Sequence, residues 1–298
     1  MRKIQRVAII GATGFIGRGL PALLAEKSIA TTGVSRAENP RVPGVDRWQK
    51  PHEMDFSGHD AVINLAGEPL DQRWTEEAKR EFRDSRVGVT TRLVESLAKL
   101  PEDERPRVLV NGSAVGFYGN RDDEILDENA SAGSDYLADL CVDWEDAARD
   151  ATTLGLRVVC LRTGVVLGKN GAAFEKLRTI FKSYLGGRLG SGQQWVPWIH
   201  VADLQAALVY AVVSESLSGP VNGTAPYPER NRDLTRKLAA ALHRPAVLHS
   251  PAFMLKLVLG GFSSALLAST RAIPSALDRE GFQFRYPTLE TALVDLTN

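Results

Sequence analysis

Residues Gly11-Ala12-Thr13-Gly14-Phe15-Ile16-Gly17 constrain this chain more than any other stretch. They follow Arg6-Val7-Ala8-Ile9-Ile10, an apolar, β-branched run of the kind that forms a strand buried on both faces. The segment after them reads as a helix to about Lys27. Strand, glycine turn and helix in that order make a phosphate cradle. Gly11 permits the tight turn, Gly14 lets backbone amides approach a pyrophosphate, and Gly17 lets the helix pack on the strand. The helix N-terminus adds unpaired N–H groups and partial positive charge. The motif therefore points to a dinucleotide. Pro21 falls later than a helix start tolerates and predicts a kink there.

The rest of the first half repeats the alternation. Further strands are expected around Thr31 to Ser35, at Ala61-Val62-Ile63-Asn64-Leu65, at Val108-Leu109-Val110 and at Val158-Val159-Cys160-Leu161. Thr75-Glu76-Glu77 opens a helix with a hydroxyl cap and an acidic first turn. Val89, Leu93, Leu97 and Leu100 continue that helix at helical spacing until Pro101 stops it. Strands alternating with long helices give an α/β fold with a doubly wound parallel sheet. Residues 1–168 are assigned to the nucleotide-binding domain, with core elements returning around 196–224. Residues 169–298 form a smaller C-terminal α+β lobe for substrate, in which glycines surround Trp195, Pro197 and Trp198. A chain of 298 residues suits that division.

Charge and cysteine usage narrow the function classes. Lys plus Arg and Asp plus Glu both number 36, so no bulk positive field exists for a nucleic acid. Cys141 and Cys160 are too few for a disulfide framework and lack the spacing of a metal site. The best apolar run, residues 252–262, is too short to span a membrane and contains Lys256. Met1-Arg2-Lys3 is like the start of a signal peptide, but the apolar stretch behind it is short and runs into the glycine motif. A cytoplasmic monomer or homodimer acting on a small molecule is expected, with no membrane partner.

The end of the second strand selects the cofactor. An NAD site places Asp or Glu there for the ribose 2′-hydroxyl, whereas this strand ends Val34-Ser35-Arg36. Both side chains can donate to a 2′-phosphate, the guanidinium as a charge-assisted pair. Glu38 comes two residues too late, in a proline-bounded loop. NADP(H) is the expected cofactor.

The glycine motif, Asn64-Leu65-Ala66-Gly67-Glu68, Gly112-Ser113-Ala114-Val115-Gly116-Phe117-Tyr118-Gly119 and Pro197-Trp198-Ile199-His200-Val201-Ala202-Asp203-Leu204 together resemble an extended or atypical short-chain dehydrogenase/reductase. The segments Arg73-Trp74, Asp84-Ser85-Arg86 and Arg162-Thr163-Gly164-Val165-Val166-Leu167-Gly168 are similar to the NADP-linked "epimerase family" of nucleotide-sugar epimerase-like proteins. The resemblance runs nearly end to end. It implies a Rossmann core, NADP(H) and a small C-terminal substrate lobe. It also implies a cofactor site comprising Gly11, Thr13, Gly14, Phe15, Ile16, Gly17, Ser35, Arg36, Leu65, Ala66, Gly67, Glu81, Arg86 and Val166.

The superfamily's chemistry rests on Tyr-x-x-x-Lys, in which lysine lowers the tyrosine pKa from the next helical turn. No tyrosine here has a lysine four residues on, and no lysine lies between Lys99 and Lys169. If Glu145 matches the superfamily's glutamate, Leu137 and Cys141 stand at the tyrosine and lysine positions. Ser113 and Tyr118 are the remaining catalytic candidates, each with a turn-stabilising or packing role as the alternative. Tyr136, Trp195, Trp198 and His200 are the substrate-side candidates. For His200 a structural role, tying lobe to core, is weighed against general acid work. Two functions stay open: an NADP-dependent oxidoreductase or epimerase of a small carbonyl or nucleotide-sugar-like substrate, or an NADPH-binding sensor or scaffold.

Overall fold

Seven parallel strands form the central sheet among the described residues: β1 (Arg6–Ile10), β2 (Ala30–Val34), β3 (Arg47–Gln49), β4 (Ala61–Asn64), β5 (Val108–Ala114), β6 (Arg157–Thr163) and β7 (Gly219–Gly223). The computed structural model describes residues 3–298, so the first two residues of Met1-Arg2-Lys3 lie outside it. Strand order is β3-β2-β1-β4-β5-β6-β7, with every neighbour parallel. This is a Rossmann-like sheet, and its order reverses between β1 and β4, where a crevice must open at the carboxyl ends.

Alternation along each strand feeds two cores. Val7 and Ile9 pack with Leu20, Leu24, Leu204 and Leu208 on one face. Ala8 and Ile10 pack with Leu93, Leu97 and Ala148 on the other. In chain order the helices are α1 (Leu20–Ala25), α2 (Glu76–Arg83), α3 (Val89–Ala98), α4 (Tyr136–Arg149), α5 (Ala172–Lys182) and α6 (Val201–Val213). Helices α1 and α6 cover one face and α3 and α4 the other, while α2 packs through Phe82 on Leu140 and α5 joins the C-terminal core. Strand β7 and helix α6 belong to the sheet and its cover, although they follow the start of the C-terminal segment. That segment gathers its own core around Phe174, Trp198, Leu234 and Leu293. It adds α7 (Asn231–Ala241), α8 (Ala252–Leu259) and α9 (Phe262–Leu267). Among the described residues no helix is long and apolar enough to cross a membrane.

Two expectations are corrected. Pro21 causes no kink, because residues 17–19 form a 3-10 turn and α1 starts only at Leu20. The proline thus lies in a first turn, where its missing N–H costs nothing. The helix beginning at Glu76 is capped by the Thr75 hydroxyl, which accepts from Ala78 N at 3.1 Å, but it does not run unbroken to Leu100. A π turn over Asp84–Gly88 separates α2 from α3 and re-aims the residues it carries, Arg86 among them.

Candidate functional site

The glycine turn sits where the strand order reverses. Gly11 has φ +85°, a conformation that favours glycine, and its N–H donates to Val34 O at 3.2 Å. A Cβ on Gly17 would stand 2.3 Å from Gly11 O, so only glycine lets the helix come this close. Thr13 Oγ1 and Ser35 Oγ share a hydrogen bond of 3.2 Å that ties the turn to the end of β2. Beyond Ser35, the exposed Arg36 shares an open cavity of about 540 Å³ with Lys50, Pro51, His52 and Arg92. Three of these five side chains are basic and none is acidic. This corner fits a phosphate monoester on a ribose.

On the other side of the crevice, β4 ends in Leu65, Ala66 and Gly67. Asn64 fixes that end: its Oδ1 accepts from Ala66 N at 3.2 Å, and its Nδ2 donates to Asn111 Oδ1 at 2.7 Å. The π turn brings Arg86 over Gly67, 3.2 Å from where a Cβ would be. Its Nη2 donates to Glu68 O at 2.9 Å, and the guanidinium lies 5.4 Å from the centre of the Trp144 ring. Burial pulls the Arg86 pKa below its ordinary value.

From this end a cavity of about 460 Å³ extends under the C-terminal lobe. Ile16, Leu65, Ala66, Gly67, Arg86, Ser113 and Trp195 all line it. Ser113, at the end of β5, donates to Glu145 Oε1 at 2.7 Å. Glu145 is in turn gripped by Arg162 Nε and Nη2, both at 2.8 Å, in a pair shut away from solvent. Burial works against the Arg162 charge, and the Glu145 carboxylate outweighs it. With the Ser113 proton committed to Glu145, its oxygen is left as an acceptor. Leu137 and Cys141, one turn apart on α4, complete this wall, and burial pushes the Cys141 thiol up to about 12. No phenol stands beside Ser113 on this wall.

Several candidates lie elsewhere. Tyr118 is fully buried; its hydroxyl donates to Asn222 Oδ1 at 2.7 Å, accepts from Arg162 Nη1 at 3.0 Å, and is pushed by burial to about 12. It is a structural phenol and does not line the cavity. Trp198 is fully buried in the lobe core, with its indole N–H donating to Tyr227 O at 3.0 Å. His200 is buried too. Its Nδ1 caps α6 by accepting from Ala202 N at 3.2 Å, and burial lowers its pKa. Asp203, three residues on, accepts from Arg285 N and Tyr286 N at 2.8 and 2.9 Å, which ties the chain's closing segment to the core. Tyr136 packs on Trp74 and donates to Lys79 O at 3.1 Å, so it joins α4 to α2 rather than facing the cavity. Glu81 is exposed on α2 and absent from the wall. Phe15 turns from the crevice onto Gly168 and Gly171. Val166 packs into the sheet core, while Val165 and Leu167 line the cavity on either side.

Residues that the sequence did not flag complete the site. Lys50 and His52 come from one short segment and Arg92 from another. Asn231 at the start of α7 and Ala265, Leu266 and Ala268 in and after α9 reach the cavity by tertiary folding. Of these, only the charge of Lys50 and Arg92 is visible in sequence, and nothing there places them beside Arg36.

The family model described as NAD dependent epimerase/dehydratase family matches residues 7–222, and a domain of unknown function, DUF1731, matches residues 250–296. An epimerase family protein of Mycobacterium bovis is 42% identical over 297 residues, 96% of each chain. The epimerase family protein SDR39U1 homolog, chloroplastic, of Arabidopsis thaliana is 39% identical over 296 residues, covering 96% of this chain and 85% of its own. Among solved structures, the human epimerase family protein SDR39U1 (isoform 2), crystallised with NADPH, superposes with a TM-score of 0.90 at 32% identity. That match covers 98% of this chain and 99% of the human one.

Proposed function

The chain belongs to the NAD dependent epimerase/dehydratase family, and on that premise we propose that it binds NADP(H) across the glycine turn and acts as an oxidoreductase or epimerase-like protein without a Tyr-Lys pair. The reading rests first on the corner beyond β2, where Arg36, Lys50 and Arg92 line one cavity next to Ser35 and no acidic residue lines it. A 2′-phosphate suits that corner and a bare 2′-hydroxyl does not use it. The NADPH in the human relative's crystal supports the same choice.

The chain's own residues have separable tasks. The amides of the glycine turn hold the pyrophosphate, and Ser35 and Arg36 hold the 2′-phosphate. Leu65, Ala66 and Gly67 present a small surface on which the adenosine half can lie, with Arg86 closing over it. Bound in this way, the cofactor would supply hydride chemistry at the Ser113 end. Ser113 offers an acceptor oxygen there, and the apolar wall of Leu137, Leu140 and Trp195 excludes water. In this reading the protein is cytoplasmic, a monomer or homodimer, and its substrate is a small molecule.

Calorimetric titration of NADPH and NADH against wild type and Arg36→Ala tests the cofactor assignment. A charge-assisted pair is worth about 1.5–3 kcal/mol, so NADPH should bind roughly ten-fold or more tightly than NADH, and the variant should lose that margin. Equal affinities in the wild type would overturn it.

A second reading has one observation in its favour. Leu137 and Cys141 stand where the resemblance places the superfamily's tyrosine and lysine, and the Cys141 thiol is held protonated by burial. Such a site suits a protein that holds NADPH as a sensor or scaffold. Steady oxidation of bound NADPH on adding a carbonyl compound selects the enzyme. A full complement of unreacted NADPH across a broad set of carbonyls selects the sensor.

A further inference from the structure

The substrate half of the cavity is built almost wholly from carbon. Val115, Leu137, Leu177, Leu189, Val196 and Leu234 converge on it from five segments of the chain. Its charged lining residues are Arg86, whose donors go to Glu68 O and Phe82 O, and Asp135, exposed at the rim. Two more arginines lie close by, stacked on Trp195. Arg230 and Arg271 each sit 4.5 Å from the centre of its ring, and Arg230 also pairs with Asp123 at 2.8 Å. Neither lines the cavity. A nucleoside diphosphate entering here would bring two negative charges to a lining whose one cation is Arg86, and desolvating them beside these apolar walls is costly.

One polar group stands apart. Thr163, Thr270 and Ser113 already donate their hydroxyl protons, to Leu161 O, Gly119 O and Glu145. Asn231 is different. It is 6% exposed, and its Oδ1 accepts from Leu189 N at 2.9 Å, which fixes the orientation of the amide. Its Nδ2 has no hydrogen-bond partner among the described residues, although Asn231 lines the cavity. A donor with no protein partner on a cavity wall is free to bond water or a ligand oxygen there.

We propose that the cavity takes a predominantly apolar molecule, held along its hydrocarbon body by these walls and by one acceptor oxygen at Asn231 Nδ2, rather than a sugar carried on a nucleoside diphosphate. The inference rests on the reading that the glycine-turn end holds the cofactor, which leaves this half for substrate. It makes Asn231 the residue that selects for an oxygen-bearing apolar compound.

The test is a calorimetric series of 2-alkanones from 2-hexanone to 2-nonanone, with UDP-glucose as the polar competitor. Each added methylene buried should raise affinity about three- to four-fold, and UDP-glucose should neither bind this half nor displace the ketones. Asn231→Asp keeps the acceptor for Leu189 N and removes the donor. It should weaken every ketone by about five- to ten-fold and leave the gain per methylene unchanged. Affinity that is flat with chain length, displacement by UDP-glucose, or an Asn231→Asp variant equal to wild type overturns the proposal. The wild-type series stands even if the variant folds poorly. NADPH is titrated separately, so a failure of cofactor binding registers on its own while the ketone series decides the cavity.

Discussion

The two ends of the one cleft obey opposite rules. At the glycine-turn end the backbone is fixed by glycines, hydroxyls tie the loops together, and cations crowd an open corner. At the other end the wall is apolar, its cysteine is neutral, and the nearest buried charges, Glu145 and Arg162, neutralise each other behind Ser113. One end is equipped to grip a phosphorylated nucleotide. The other presents an apolar wall on which Leu137 and Cys141 stand one turn apart, with no phenol–lysine pair among the residues that line it. The two ends are therefore separable in this fold, and perturbing each should leave the other largely intact.

The harshest perturbation is at the Ser113 end. Glu145→Gln strands the Arg162 guanidinium in a site shut away from water, and breaking a buried pair in this way costs about 3–5 kcal/mol. Urea denaturation should register that loss in full. A variant as stable as wild type would mean that the pair does not organise this wall. At the glycine end, Gly17→Ala places a methyl 2.3 Å from Gly11 O. Overpacking of this kind costs about 1–3 kcal/mol, and because the turn itself must move, NADPH affinity should fall by more than stability explains. Unchanged NADPH binding would detach the cofactor from this turn.

A smaller effect is expected between the two ends. Tyr136→Phe removes one hydrogen bond, to Lys79 O, and should cost about 1 kcal/mol of stability while leaving NADPH affinity and any turnover within a few-fold. A loss of turnover of 10²–10⁴ would instead mark a general acid. The gentlest probe is pH. Burial lowers the pKa of both His59 and His200 from 6.5, so each binds its proton more readily when unfolded. Their contribution is complete above about 6.5 and is lost as the pH falls below it. Asp203, raised by burial from 3.8, acts in the opposite sense as the pH rises above 3.8. Denaturation midpoints measured between pH 7.5 and pH 5 should therefore decline with acid. Midpoints that rise would contradict the burial of the two histidines.

How much of this was legible in sequence differs between the ends as well. The glycine turn, the strand before it, Ser35 and Arg36 are neighbours in the chain, and local spacing suffices to read them. The Thr75 cap is equally local. The other end depends on contacts between distant residues. Tyr118 looks available in a glycine-flanked loop, yet its hydroxyl meets Asn222, 104 residues away. Trp198 sits in a glycine- and tryptophan-rich stretch but bonds Tyr227 inside the lobe core. Asn231 carries no motif at all. Its role follows from Leu189 and from the walls that α7 joins. The π turn was hidden because Val89, Leu93 and Leu97 keep helical spacing after it, so the pattern reads as one continuous helix.

The measurement that tests the contrast most directly is a crystal structure of this chain grown with NADPH. The account predicts the 2′-phosphate against Ser35 and Arg36, the pyrophosphate on the amides of the glycine turn, and the nicotinamide beside Ser113, with Leu137 and Cys141 at contact distance and no phenol–lysine pair in reach. A nucleotide whose 2′-phosphate points away from Arg36, or a tyrosine hydroxyl bonded to the nicotinamide ribose, would contradict it.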